Sequence, residues 1–260
     1  MFKMLKTVFA LSISVGGVLV LTFIASDYIS FSAQGGPDHW DSFFSVFGML
    51  YAIISGFLLV DVLGRYNDLS NTFEGELNAV EDVRDFLIYV DGEQDAVKLE
   101  VKKRLSAYIR SISRKEWPAM IKGKALNSDT SEELYNVMKA VDKIEVTNES
   151  DRVALGSLID RISDLTTLRT KRISLANQKL PSRLKLLTFF MSVILVLGMI
   201  LVGAKELSLH MGMVGSVTFA VHLLYMIIVD LDKPFNGTWR IDKTPLDAVE
   251  KAFESEFGHF

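Results

Sequence analysis

Four uncharged runs, each long enough to cross a bilayer as a helix, leave this chain few folds to choose from. They are Thr7–Ala25, Phe43–Val60, Leu186–Gly203 and Met213–Val229, and roughly 20 residues of helix cross a hydrocarbon layer about 30 Å thick. Backbone N–H and C=O groups in lipid must be satisfied within their own segment. The runs therefore read as helices and not as strands, whose lipid signal is short alternating stretches. The first run is longer than the 7 to 15 apolar residues of a signal peptide, so it is read as an uncleaved span although Lys3 and Lys6 precede it.

Most of the charged residues lie between Asp61 and Lys185, so the chain meets two solvents, and its mean hydropathy of +0.27 exceeds what a water-soluble domain of this size needs. Cations near the spans set the orientation, because inner flanks carry the excess of Lys and Arg. Lys3 and Lys6 lie before the first span, whereas the loop from Ser26 to Ser42 holds Asp27, Asp38 and Asp41 with no Lys or Arg. Arg169, Lys171, Arg172, Lys179, Arg183 and Lys185 precede the third span, and Lys233, Arg240 and Lys243 follow the fourth. The expected organisation is a first transmembrane hairpin over 1–60, a helical cytoplasmic domain over 61–185, a second hairpin over 186–229, and a cytoplasmic turn and amphipathic helix over 230–260. Both termini face the cytoplasm.

The cytoplasmic part reads as all-α. Val62, Tyr66, Leu69, Phe73, Leu77, Val80, Val83 and Leu87 recur mostly at steps of three and four, which predicts a long helix continuing from the second span, with Gly64 as its weak point. Val97, Val101, Leu105, Tyr108, Ile109 and Ile112 predict a second helix ending near Trp117–Pro118. Leu134–Met138–Val141 and Leu155–Leu158–Ile162–Leu165–Leu168 predict a further pair that leads to the third span at Pro181. Polar connectors are expected at Asn127–Thr130 and Val146–Ser150. Thr244 as N-cap and Pro245 at the first helical position open a short terminal helix with Leu246, Val249, Phe253 and Phe257 on one face. Between Asp61 and Glu100 there are eleven acids and three bases, and between Val101 and Lys124 eight bases and one acid. These charges are either solvated one by one or pair acidic with basic helices, within a subunit or around a ring.

Much chemistry is missing. With no cysteine there is no disulfide, no thiolate nucleophile and no Cys-based metal site. No phosphate-loop, dinucleotide or zinc-protease motif occurs, and His39, His210, His222 and His259 are too scattered to suggest a metal site. No catalytic residue and no cofactor are expected. The net charge of −4 argues against a nucleic-acid binder. His222 lies inside the fourth span, where a neutral imidazole bonded to a neighbouring helix competes with a functional role.

The second span has two readable faces. Gly48, Ala52 and Gly56 recur every four residues, the small-residue spacing that lets helix backbones approach. Phe44, Phe47, Tyr51, Ile54, Leu58 and Asp61 form a stripe of bulky apolar groups ending in a carboxylate. In a ring of subunits such a stripe is a hydrophobic neck above an acidic mouth, since constrictions gate by dewetting and acidic rings favour cations. On a single chain it is a lipid-facing stripe with Asp61 in interfacial water. Glu76, between Phe73 and Val80, and Asn78 beside it belong either to a polar contact between helices or to an aqueous vestibule.

The order of elements resembles the bacterial family described as bestrophin-like. The residues that carry the resemblance are Gly64–Arg65–Tyr66 leading to Glu76–Leu77–Asn78, the stretch from Tyr108 to Glu116–Trp117–Pro118, Arg169 and Arg172 ahead of Pro181, and the run from Asp230 through Asp232, Pro234 and Phe235 to Gly237 after the last span. The resemblance implies kinship to bestrophins, pentameric ion channels with a helical cytoplasmic vestibule. The Pro234–Phe235 stretch looks like the one that precedes the acidic calcium clasp of bestrophins, but Thr238, Trp239 and Arg240 follow where that clasp has acids. In a plain structural reading, Pro234 and Gly237 turn the chain, Phe235 and Trp239 anchor it, and Asp230 and Asp232 bond local groups.

The leading expectation is a homo-oligomeric, pentameric passive channel of the bacterial plasma membrane that leans towards monovalent cations. The rival is a non-conducting scaffold or sensor whose cytoplasmic helices bind a partner protein or anionic lipid. Headgroup contacts are expected at Arg169, Lys171, Arg172, Lys179, Arg183 and Lys185. A transporter with alternating access is disfavoured by the lack of an inverted pair of broken helices.

Overall fold

The computed structural model describes residues 2–32, 38–123, 128–202 and 206–257. All regular structure among them is helical, in the order α1 (Phe2–Ser32), α2 (Asp38–Phe86), α3 (Asp95–Ser111), α4 (Trp117–Ile121), α5 (Ser128–Val141), α6 (Glu149–Asn177), α7 (Ser182–Val202), α8 (Leu207–Leu231) and α9 (Thr244–Phe257). Four of them, α1, α2, α7 and α8, are long and apolar enough to cross a membrane. They contain the four runs read from the sequence, except that the end expected at Gly203 lies outside the described residues. The centre of the loop expected to face outward (33–37) and Asn127 of the expected connector lie outside them as well, and the rest of that connector, Ser128–Thr130, is helical as the first turn of α5.

The chain divides into two compact units. The first comprises Met1–Gly64, Lys179–Lys233 and Gly237–Trp239, and the second Arg65–Gln178, Pro234–Asn236 and Arg240–Phe260. Gly64 marks that division, yet α2 runs through it without a break. The helical bonds are backbone bonds that a glycine makes as any residue does, and its entropic cost of about 1 kcal/mol is too small to end so long a helix.

In the first unit, Tyr51, Met191 and Val221 form a small core of α2, α7 and α8, with Phe47, Ile54, Leu195, Val217 and Leu224 packed against it. Much of the remaining apolar surface is exposed, as expected of helices whose solvent is hydrocarbon. Several hydroxyl groups bond to their own helix: Thr22 donates to Val18 O at 2.9 Å, Ser55 to Tyr51 O at 2.6 Å and Thr188 to Leu184 O at 2.9 Å.

The second unit has the larger core. Leu69, Phe73, Leu77, Val80 and Val83 of α2 pack with Val101, Leu105, Tyr108 and Ile109 of α3, Leu134 and Val137 of α5, and Leu158, Ile162 and Leu165 of α6. Leu246, Val249 and Phe253 of α9 complete it, so the amphipathic terminal helix docks by the face its periodicity marked. Its start differs in detail from expectation. Helical structure begins at Thr244 itself, and Asp242 does the capping, accepting from the Thr244 N–H at 3.0 Å and from its hydroxyl at 2.8 Å. α6 opens on Asn148, whose side chain accepts from the Asp151 N–H at 2.9 Å. Between α3 and α4 lies a five-residue π-turn, Ile112–Glu116. The wider turn accommodates Pro118, which has no N–H to offer and whose ring crowds the preceding turn.

The charge asymmetry between acidic α2 and basic α3 resolves through a third partner. Arg110 reaches Glu254 at 3.4 Å, and Arg114 reaches Glu250 at 3.5 Å and Glu254 at 3.8 Å, all on α9.

Candidate functional site

Glu76, Tyr108, Glu116, Arg169 and Arg172 converge inside the second unit from α2, α3, the π-turn and α6. Glu76, Glu116, Tyr108 and Arg172 are completely buried. Tyr108 Oη donates to Glu76 Oε1 at 2.6 Å. Arg172 donates through Nε to Glu76 Oε2 and through Nη2 to Glu76 Oε1 at 3.1 Å, a fork that grips both oxygens, while the same Nη2 also donates to Glu116 Oε2 at 2.6 Å. Arg169 Nη2 donates to the other oxygen of Glu116 at 3.0 Å. The π-turn places Glu116 between the two guanidiniums.

Two carboxylates thus meet two guanidiniums, and the cluster carries no net formal charge. Burial works against the charge on Arg172, but the Glu76 carboxylate and then Glu116 more than offset it and hold the guanidinium pKa above its ordinary value. Burial, reinforced by the charge on Glu76, pushes the Tyr108 hydroxyl well above the usual phenol range. Tyr108 is therefore a neutral donor at any physiological pH, and Arg172 a permanent cation.

Of the two readings left open for Glu76, the structure selects the polar contact between helices, because no surface of it reaches solvent. Asn78, two residues on, is exposed. The sequence reading missed the pairing of these groups. One signal was available: Arg169 and Arg172 continue the buried Leu158–Ile162–Leu165 stripe at steps of four and three, which places two cations on the face that goes into the core.

The expected set of headgroup cations is corrected by the same finding. Arg169 and Arg172 are buried against carboxylates, and Lys185 pairs with Asp232 at 2.5 Å, so none of the three is available to lipid. Lys171, Lys179 and Arg183 are exposed.

The second span is also divided otherwise than expected. The stripe assigned to a pore turns toward the first unit's own helices. The Phe44 ring lies against Gly198 so closely that a Cβ there would fall 1.8 Å from its Cε1. Phe47 and Ile54 pack on the small core, and Tyr51 is 5% exposed, in hydrogen-bond reach of Ser192 at 3.3 Å. Leu58 is buried, and of this set Asp61 alone is exposed. The physical reason is that aromatic groups on α2 fill the space that small residues such as Gly198 leave on α7. The large groups that α2 exposes include Phe43, Val46, Met49, Leu50, Ile53, Phe57, Val60 and Leu63. The expected packing face is only partly used within the chain: a Cβ on Gly48 would meet Leu195 at 3.8 Å, nothing lies within 4 Å of one on Gly56, and Ala52 is exposed.

After the last span, Asp230 accepts from the N–H groups of Thr238 and Trp239 at 2.8 Å, and Asp232 accepts from the Leu180 N–H at 2.5 Å. Gly237 sits where a Cβ would lie 2.7 Å from the Asp230 carbonyl oxygen, so only glycine closes this turn. In the second unit Phe235 packs edge-on against Trp117, ring centres 5.3 Å apart, and the Pro234 carbonyl accepts from Ile241 N–H at 2.8 Å. These are the local bonds of the plain structural reading. Among the described residues no three His, Asp or Glu side chains come together as a metal site.

The comparisons with known proteins agree with this architecture. The fold matches a crystal structure of a mutated bacterial bestrophin homologue from Klebsiella pneumoniae at TM-score 0.77 and 14% identity, over 97% of this chain and 99% of that one. It matches another structure of a bacterial bestrophin homologue from Klebsiella pneumoniae at TM-score 0.72 and 16% identity, over 96% and 98% of the two chains. No curated protein matches in sequence. The family model described as a bestrophin-like domain matches residues 8–246, and with nearly the whole length included the chain belongs to the bestrophin-like family.

Proposed function

We propose that this protein is a subunit of a homo-oligomeric, pentameric passive ion channel of the bacterial plasma membrane, with both termini cytoplasmic. The observation that carries the reading is the two-faced second span. Its aromatic stripe is spent on packing inside the chain, and large apolar groups on its other side are left exposed. Met49, Ile53 and Phe57 lie on that open stripe at steps of four, Phe57 being 74% exposed, and the exposed Asp61 follows one turn later.

When subunits close around an axis with this face inward, Met49, Ile53 and Phe57 form a narrow apolar neck that conducts only when wet, and Asp61 supplies an acidic ring at its mouth that favours monovalent cations. The neck thus moves to the face opposite the one the sequence favoured, while Asp61 keeps its role. The excess of Lys and Arg before the first and third spans and after the fourth supports the orientation.

The test is ion flux through purified protein in liposomes. Flux should follow the oligomeric fraction, rise in Phe57→Ala as the neck widens, and lose cation preference in Asp61→Asn. An intact ring that leaves liposomes sealed, in the original chain and in Phe57→Ala alike, overturns the proposal.

A further inference from the structure

The first unit carries, at the adjoining ends of its last two spans, an arrangement that conduction does not call for. α8 ends at Leu231, and the next residue, Asp232, points its buried carboxylate inward, accepting from the Leu180 N–H at 2.5 Å and pairing with Lys185 at 2.5 Å. That carboxylate ties the segment entering α7 to the segment leaving α8. Lys179 and Lys233 each sit one residue from the tie and are therefore brought together, with Arg183 in the first turn of α7. Asp230, the other acid here, is consumed as well, by the Thr238 and Trp239 N–H groups. The turn it holds, closed by Gly237, delivers Trp239 with 55% of its surface exposed.

Both carboxylates at this end are thus turned to internal partners, while Lys179, Arg183, Lys233 and Trp239 are left outward. We propose that this surface binds the headgroups of anionic phospholipid, with the Trp239 indole at headgroup level. α7 and α8 are spans, so their ends lie at the membrane boundary, where the lipid phosphate is the anion at highest local concentration. Cations next to a span attract anionic headgroups, and an indole prefers this layer because one edge is apolar and its N–H is wet. The six-cation cluster seen in the sequence is replaced by a smaller set, with Lys179 and Arg183 at the entry to α7 and Lys233 just after α8. The inference stands whether or not the protein conducts.

The experiment uses the full chain in nanodiscs of phosphatidylethanolamine doped with brominated phosphatidylglycerol or, separately, brominated phosphatidylethanolamine. The readout is quenching of the tryptophan emission that Trp239→Phe removes. Brominated phosphatidylglycerol should quench it more strongly at equal mole fraction. Lys179→Gln/Arg183→Gln/Lys233→Gln should lower that preference by about fivefold for each cation removed, and Lys103→Gln/Lys139→Gln/Lys143→Gln, all exposed in the second unit, should leave it unchanged. Equal quenching by the two lipids overturns the proposal, as does a preference that survives the first triple variant or falls equally in the second. A change in Trp239 emission on adding inorganic phosphate in lipid-free detergent assigns the surface to a soluble anion and also overturns it. If the first triple variant does not purify as the parent does, the comparison of the two lipids on the unmodified chain decides alone.

Discussion

The two units satisfy their buried polar groups in opposite ways. In the membrane unit Thr22, Ser55, Thr188 and Ser192 each donate to a carbonyl four residues back on their own helix. In the second unit ionised groups bond one another across 53 to 96 residues of sequence, Arg169 with Glu116 and Arg172 with Glu76. A hydroxyl bonded to its own helix needs no partner helix in register. A buried carboxylate cannot be satisfied that way, and its guanidinium must arrive from another element in the right register. The membrane unit has long-range contacts too, but the one within its apolar stretch, Ser192 with Tyr51 at 3.3 Å, joins neutral hydroxyls, and its ion pair, Lys185 with Asp232, sits at a span end. The difference predicts unequal costs for removing polar groups from the two units.

Arg172→Met should have the largest effect. It leaves the buried Glu76 carboxylate without its fork and Glu116 with one guanidinium, a loss of about 3–5 kcal/mol that thermal unfolding in detergent would register. Glu76→Gln/Arg172→Met removes a charge of each sign and should recover part of the loss. If the single variant unfolds with the parent, the cluster does not hold the second unit together.

Next comes packing in the membrane unit. Gly198→Ala places a methyl where the Phe44 ring lies, and overpacking of this kind costs about 1–3 kcal/mol. Phe44→Leu should partly rescue it. A rescued pair that is stable but loses ion flux would return Phe44 to the conduction path and sink its assignment to internal packing.

How much of this was legible in the sequence follows the same division. Spans and helices come from local periodicity, and the described residues of every apolar run read from the sequence lie in a helix. Glu76 was visible as a charge inside an apolar stripe, but its partners lie 32 and 96 residues away, and periodicity carries no information at that range. The face of α2 was illegible for another reason. In a water-soluble protein the apolar side of a helix is the inner side, whereas a span is apolar all round. Composition alone does not tell whether Phe44, Phe47 and Tyr51 on one side or Met49, Ile53 and Phe57 on the other pack against α7. Gly198 was the missing clue, and its role depends on which ring faces it.

A smaller effect, confined to acid pH, is expected at the start of α6. Asp151 accepts from the Thr147 hydroxyl at 2.5 Å, the Asp91 N–H at 2.9 Å and the Thr147 N–H at 3.1 Å. These bonds, the hydroxyl's first, lower its pKa below the ordinary carboxylate value. A carboxyl that is more acidic when folded lends stability that is complete above its unfolded pKa, about 3.9, and is lost as pH falls through the lowered folded value. The gap between the parent and Asp151→Asn in melting temperature should be constant above that range and close below it. Parallel curves down to the lowest accessible pH would show that these bonds do not act on the charged form.

The smallest effect is the one that tests the comparison most directly. Ser55 is fully buried in the membrane unit, and its hydroxyl donates to the Tyr51 carbonyl at 2.6 Å, with a weaker approach to Ala52 O at 3.4 Å. The Tyr51 carbonyl already accepts the helical N–H of residue 55, so Ser55→Ala strands nothing. Its cost should stay at or below about 0.6 kcal/mol, the average for side-chain hydrogen bonds between membrane helices. A loss approaching that of Arg172→Met would mean that Ser55 bonds across to another helix or another subunit, and the contrast between local and distant satisfaction of polar groups would fail at the membrane unit.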